Sequence, residues 1–206
     1  MKKTILVFMI IASILSFSCA NNSNESSSDP TFTAVKAAVN PDFRNTNWGD
    51  SPETVIARET AESYNNGTLI LPDNYLVYKS KINSLDTNIT YYFDSSQRLY
   101  RAEYGITEDH GYSAQLYISN YESLKNLLIE KYGVPYEDEV LILNHLAEYT
   151  DDATALNMGY TAYVTKWKTD TTEIMLAMMC GSGGTISLAI FYSSIEFASE
   201  TDLSDF

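Results

Sequence analysis

Cysteine is almost missing from this 206-residue chain, which has only Cys19 and Cys180. That excludes a disulfide-stapled scaffold and any metal site built on paired thiolates. Basic residues are also scarce, 13 Lys+Arg against 27 Asp+Glu, for a formal net charge of −14. A chain this acidic has no footprint for phosphate, so nucleic acid is excluded as a partner, as is a peripheral grip on anionic lipid headgroups. Histidine occurs twice, as His110 and His145, and no Gly-x-Ser-x-Gly, His-Glu-x-x-His or Cys-x-x-Cys is present. No written enzyme signature remains, and no cofactor or metal is expected.

The one long apolar run stands at the start. Lys2 and Lys3 precede the 13-residue stretch Ile5 to Phe17, which leads into Ser18-Cys19. A charged end, an apolar core of this length and a small-residue site make a secretory signal, residues 1–18, since a membrane-spanning helix needs about 20 residues. "LSFSCANNSNESSSDP" resembles a bacterial lipoprotein processing site, with Ser16 where such sites usually have Leu. The resemblance implies that Cys19 becomes the first mature residue and carries palmitate-type acyl chains, which together hold a protein stably on a membrane. Residues 19–41 then read as a tether, its first part rich in Asn, Ser and acid and unable to bury enough apolar area to fold. Losing Lys2 and Lys3 leaves 11 of the 13 Lys+Arg and a mature charge of −16.

Residues 42–195 are long enough for one domain, followed by an acidic tail, 196–206. A helix should follow Gly49, with Asp50 or Ser51 as N-cap, Pro52 in its first turn and Glu53 near its positive end, running to the turn signal Asn65 to Gly67. Phe43 and Trp48 read as apolar anchors for it. Period-two patterning predicts strands over Tyr75 to Ile82, Asn88 to Asp94 and Arg98 to Ile106. Ser119 with Glu122 forms a capping box for a second helix, whose Tyr121, Leu124, Leu128 and Tyr132 share a face and whose end is marked by Gly133 and Pro135. One or two short helices are expected within 136–159, then strands over Thr161 to Thr169, Thr172 to Cys180 and Thr185 to Ser194.

The two halves match each other. At an offset of 87, Val77, Lys79 and Lys81 fall on Val164, Lys166 and Lys168, and Leu99, Ala102 and Tyr104 fall on Ile186, Ala189 and Phe191; the middle strands match at 85, Ile89 on Ile174. The expected fold class is α+β: two α-βββ units, about 43–110 and 115–195, sharing one curved antiparallel sheet with helices on one face. The short helix that starts within "WGDSPETV", after its Gly-x-Ser, the strand "YLVYKSK" and the hairpin "ITYYFDSSQRL" resemble the unit of the small lipoproteins of the outer-membrane β-barrel assembly machinery. The tandem form is similar to the β-lactamase inhibitor protein superfamily. "KYGVP" keeps the Gly-x-Pro that ends the family's first helix, and the first unit lacks it. The resemblance implies a non-enzymatic module that binds another envelope or extracellular protein on its open sheet face.

Alternation places Leu76, Tyr78 and Ile82 on one side of the first strand and Val77, Lys79 and Lys81 on the other. By the same alternation Tyr100, Ala102, Tyr104 and Ile106 face in, while Leu99, Arg101 and Glu103 face out. Lys79, Lys81, Arg101, Lys166 and Lys168, with Tyr92 beside them, then make a basic face able to direct an acidic partner; the plainer account is an ordinary exposed face whose lysines discourage aggregation. "IMLAMM" and "ISLAIFY" are apolar on both sides, so that half is either covered twice or exposes a Met-rich patch. The rival functions are a secreted hydrolase, in which His145 and a carboxylate such as Asp151 converge within 136–159, and a structural envelope protein. "GSGG", Gly181 to Gly184, lacks the Lys-Ser/Thr of a phosphate loop and reads as a hairpin; Glu137-Asp138-Glu139 and Asp151-Asp152 lack calcium-loop spacing and read as solvated acid. Cys180, at an apolar strand end, reads as a small buried hydrophobe.

Metabolic labelling with radioactive palmitate should mark the wild-type chain and not Cys19→Ala. Label missing from the first, or kept by the second, refutes acylation at Cys19.

Overall fold

A computed structural model describes residues 41–64, 68–70, 74–181 and 183–197. The signal, Cys19, all of the tether but Pro41, the Asn65 to Gly67 turn and the tail beyond Phe197 lie outside the described residues. The elements run α1 (Pro52–Arg58), β1 (Glu62–Ser63), β2 (Tyr75–Ile82), β3 (Leu85–Phe93), β4 (Leu99–Ile106), α2 (Ala114–Tyr132), β5 (Glu137–Ile142), a 3-10 helix (His145–Tyr149), α3 (Asp152–Asn157), β6 (Thr161–Lys168), β7 (Thr172–Cys180) and β8 (Ile186–Ser194). The strands form one antiparallel sheet in the order β1-β2-β3-β4-β8-β7-β6-β5. The chain is therefore α+β, and the sheet is open.

Ser51 caps α1 by accepting from the Thr54 N–H. Asp50 instead braces the helix from outside, where one carboxylate oxygen takes the Asn47 N–H and the Arg58 guanidinium, each at 2.7 Å. The helix stops at Arg58, well short of Asn65, because Glu59 turns extended and its buried carboxylate receives Arg44 through two nitrogens at 2.8 and 2.9 Å, with the Tyr91 hydroxyl as a further donor. Phe43 is buried against Tyr91, Tyr104 and Tyr192, and Trp48 donates its indole N–H to Thr172. Both act as the anchors expected of them.

The start of α2 differs from the expectation. It begins at Ala114, so Ser119 and Glu122 sit inside it, and Glu122 pairs with Lys125. The apolar stripe explains this: Ala114 and Tyr117 extend the buried row of Tyr121, Leu124 and Leu128 back by more than a turn, and burial of a continuous face outweighs a local cap. β3 starts at Leu85 rather than Asn88, since Asn83 and Ser84 both take positive φ and close a two-residue hairpin. β5 was not expected as a strand; the 3-10 helix and α3 behind it fill the rest of 136–159. "GSGG" does join β7 to β8.

Side chains from α1, α2 and α3 share one buried cluster with Leu76, Ile89, Tyr91, Trp167, Ile174, Leu176 and Ile190. The opposite face carries a second, smaller cluster of Ala162, Val164, Ala177, Met179, Ala189 and Phe191. Leu99, expected outward, belongs to the main cluster. Tyr92 pairs with Arg101 but Phe93 pairs with Leu99, so Tyr100 is an extra residue that bulges β4. For the same reason Ala102 does not correspond in facing to Ala189, because the first lies on the helix side and the second on the other.

Tyrosine fills much of the core. Burial raises the pKa of Tyr78 to about 12, helped by the charge of Glu59, and burial likewise pushes Tyr91, Tyr121 and Tyr192 up. A phenol whose folded pKa exceeds its unfolded value near 10 holds its proton more tightly when folded. Its stabilisation is whole below pH 10 and is lost as the pH rises through the folded value. On alkaline titration, tyrosinate absorbance from these residues should rise together with loss of far-UV circular dichroism, between pH 10 and 12 or above. Free ionisation of all tyrosines near pH 10, with the dichroism intact, would refute this.

Candidate functional site

Among the described residues no helix packs on the sheet face opposite α2. Strand alternation and register bring Lys79, Lys81, Tyr92, Arg101, Lys166 and Lys168 to this face together, as expected. The pairing also sets a carboxylate beside each lysine, and alternation along β4 sets Glu103 beside Arg101. Lys79 lies 4.0 Å from Glu62, Lys81 2.5 Å from Asp86, Lys166 2.9 Å from Glu137, Lys168 3.6 Å from Glu173 and Arg101 3.3 Å from Glu103. The basic patch is thus corrected to a lattice of ion pairs, each neutral as a pair, and its pull on a distant acidic partner is small.

The five pairs are unequal. Lys79, Lys81 and Lys168 keep more than half of their side-chain surface exposed, whereas Arg101 and Lys166 keep 17% and 22%. Arg101 is held from several sides. Its guanidinium lies 5.0 Å from the Tyr92 ring centre and 4.9 Å from that of Phe191, while its buried Nε finds no acceptor among the described residues. Glu103 beside it is buried, which pushes its carboxyl above the usual range, and Arg101, Tyr92 and Thr90 oppose that shift only in part. Burial raises the Tyr92 phenol as well, with the nearby Glu103 charge adding to it.

Beyond Phe191 the face is apolar. Gly105, Ala189, Ala177 and Val164 stand in one row across four neighbouring strands, and the last three pack with Phe191, Met175 and Met179. The Met-rich exposed patch does not exist: Met178 points into the main core, Met179 is buried and Met175 is partly buried.

Asp151 caps α3, one carboxylate oxygen on the Thr154 N–H and the other on its hydroxyl. His145 opens the 3-10 helix, and His110 meets Asn120 at 2.8 Å and the Tyr117 ring. A cleft of about 630 Å³ lies between Phe43 and the end of α2; one of about 620 Å³ lies at the opposite end of the sheet, between Ile106 to Asp109, Tyr112 and Gly183 to Leu188. Neither is lined by a histidine. Among the described residues no group of three His, Cys, Asp or Glu side chains is placed to hold a metal. Cys180 is buried, its thiol 3.3 Å from the Asn157 carbonyl oxygen, and burial pushes its pKa up.

No family model, no curated protein and no solved structure matches the chain.

The carboxylates facing the lysines are not readable as partners in the sequence, because opposition across strands depends on register, whereas Glu103 stands two residues from Arg101 on the same side of β4, as alternation places it. Arg101→Ala should cost about 3 kcal/mol in urea unfolding, since it leaves the buried Glu103 without its cation. Adding Glu103→Gln should recover part of that loss. Strictly additive losses would refute the coupling.

Proposed function

We propose that this is a lipid-anchored protein of a bacterial envelope, held outside the cytoplasm by Cys19, that binds another protein on the helix-free sheet face and is not an enzyme. The carrying observation is that Lys79, Lys81 and Lys168 stand exposed on this face in exposed ion pairs. Such pairs are worth about 0–1 kcal/mol, so a partner's carboxylates replace the internal ones at little cost. Arg101, Tyr92 and Lys166 set the shape of the face from beneath.

The same proposal takes the domain as two α-βββ units, akin to the β-lactamase inhibitor protein superfamily. Its support is the order of the strands, in which β2 to β4 run in from one side and β6 to β8 from the other until β4 meets β8, with β1 and β5 as further strands at the two edges. Val77 and Val164 lie on one face and Ile89 and Ile174 on the other, as equivalent positions require. The acidic composition and the leader support the location.

The triple substitution Lys79→Gln, Lys81→Gln and Lys168→Gln removes three charges without setting like charges face to face. Cross-linking in the native envelope should capture the wild-type partner and recover it about tenfold less with the triple variant, a loss of about 1.4 kcal/mol. The melting temperature should stay within about 4 °C. Undiminished capture refutes the reading.

A further inference from the structure

The two ends of the sheet are unequal. β1 is two residues long, while β5 offers six residues as a terminal strand whose residues from Asp138 to Val140, and Ile142, are exposed. The Leu143 N–H donates to the Tyr160 carbonyl, which fixes the phase of the β5–β6 ladder. Alternate residues spend their backbone groups on β6, and the N–H and C=O of Asp138, Val140 and Ile142 point away from the sheet.

This edge is also where exposed apolar surface gathers. Of eleven large apolar side chains exposed among the described residues, seven fall between residues 134 and 158, Val140 and Ile142 on β5 itself. The same stretch has six carboxylates and no Lys or Arg. The two faces of β5 differ in chemistry. Glu137 and Glu139 lie toward the helix-free face, and Val140 and Ile142 toward the helix side with Asp138, whose carboxylate takes the Thr165 hydroxyl and Lys125.

We propose that β5 is a docking edge to which an extended segment of a partner protein adds as a ninth strand, with Lys or Arg at alternate positions opposite Glu137 and Glu139 and aliphatic residues opposite Val140 and Ile142. Main-chain bonds supply the affinity and the alternating side chains the selection. A second copy of this chain is the wrong occupant, because β5 against β5 brings acidic residues together across the new ladder in a protein of charge −14. The proposal does not use Lys79, Lys81 or Lys168, so the triple variant above leaves it intact.

The probe is a blocked peptide of about eight residues, an ordinary strand length, alternating Lys and Val, added to the full chain in detergent micelles. The wild type should bind it, and should bind a Glu-Val peptide at least tenfold more weakly. Val140→Pro removes one outward N–H and no ladder bond, and should weaken binding at least tenfold. Glu139→Lys should weaken it several-fold. In the wild type, peptide should slow hydrogen exchange at the amides of Asp138, Val140 and Ile142, a reading that stands even if the proline variant is poorly folded. Slowed amides elsewhere, equal affinity for the two peptides, undiminished binding by a folded Val140→Pro, or a dimer dissociated by that substitution would overturn the proposal.

Discussion

Between Arg101 and Gly105, β4 runs antiparallel to β8 from Ser193 to Ala189, and those five residue pairs join the two halves into one sheet. Each half without this ladder is a short meander with a long bare edge. On the helix side it sets Tyr104 beside Ile190 and Ala102 beside Tyr192, where Phe43 packs against both tyrosines. On the other side it sets Glu103 beside Phe191, which is why a carboxylate lies buried on a face that no described helix covers.

The N-terminal segment depends on that joined sheet. Arg44 and Glu59 meet across α1, and Glu59 also receives the Tyr91 hydroxyl from β3. Burial alone would raise the Glu59 carboxyl, but the bonds from Arg44, Tyr91 and the Ala61 N–H outweigh it and hold it below its usual value. A second relay ties helix to edge: Tyr121 on α2 bonds the Thr165 hydroxyl at 2.6 Å, Thr165 donates to Asp138 at 2.8 Å, and Lys125 reaches the same carboxylate. Tyrosine suits such a core because its ring is buried as a hydrophobe while its hydroxyl finds a partner. Tyr78, whose hydroxyl finds none among the described residues, is the exception.

How much was legible follows from the range of each signal. Strands with alternation, such as Tyr75 to Ile82, and helix ends with glycine, such as Gly133, are written within a few residues and stand where expected. β5 was hidden because Glu137-Asp138-Glu139 are poor strand formers; only the Val140 to Ile142 run hinted at it, and its place is set by pairing with β6. The facing of the lysines was legible from alternation, but their neutralisation was not, since Glu62, Asp86, Glu137 and Glu173 become their neighbours only through register. One bulged residue, Tyr100, was enough to turn Leu99 inward.

The two ends of the strands face different ways with respect to the chain's own path. Asp42 bonds Thr171 at the β6–β7 turn, and Asp42, Trp48 and Ser194 to Glu196 line one small cleft. The described segment therefore enters and leaves at a single pole. The Gly183 to Leu188 cleft, with the exposed Tyr112, occupies the opposite pole. Any attachment through the segment before Pro41 would reach the domain at this entry pole, so the far cleft, the lysine face and the β5 edge would all lie clear of it.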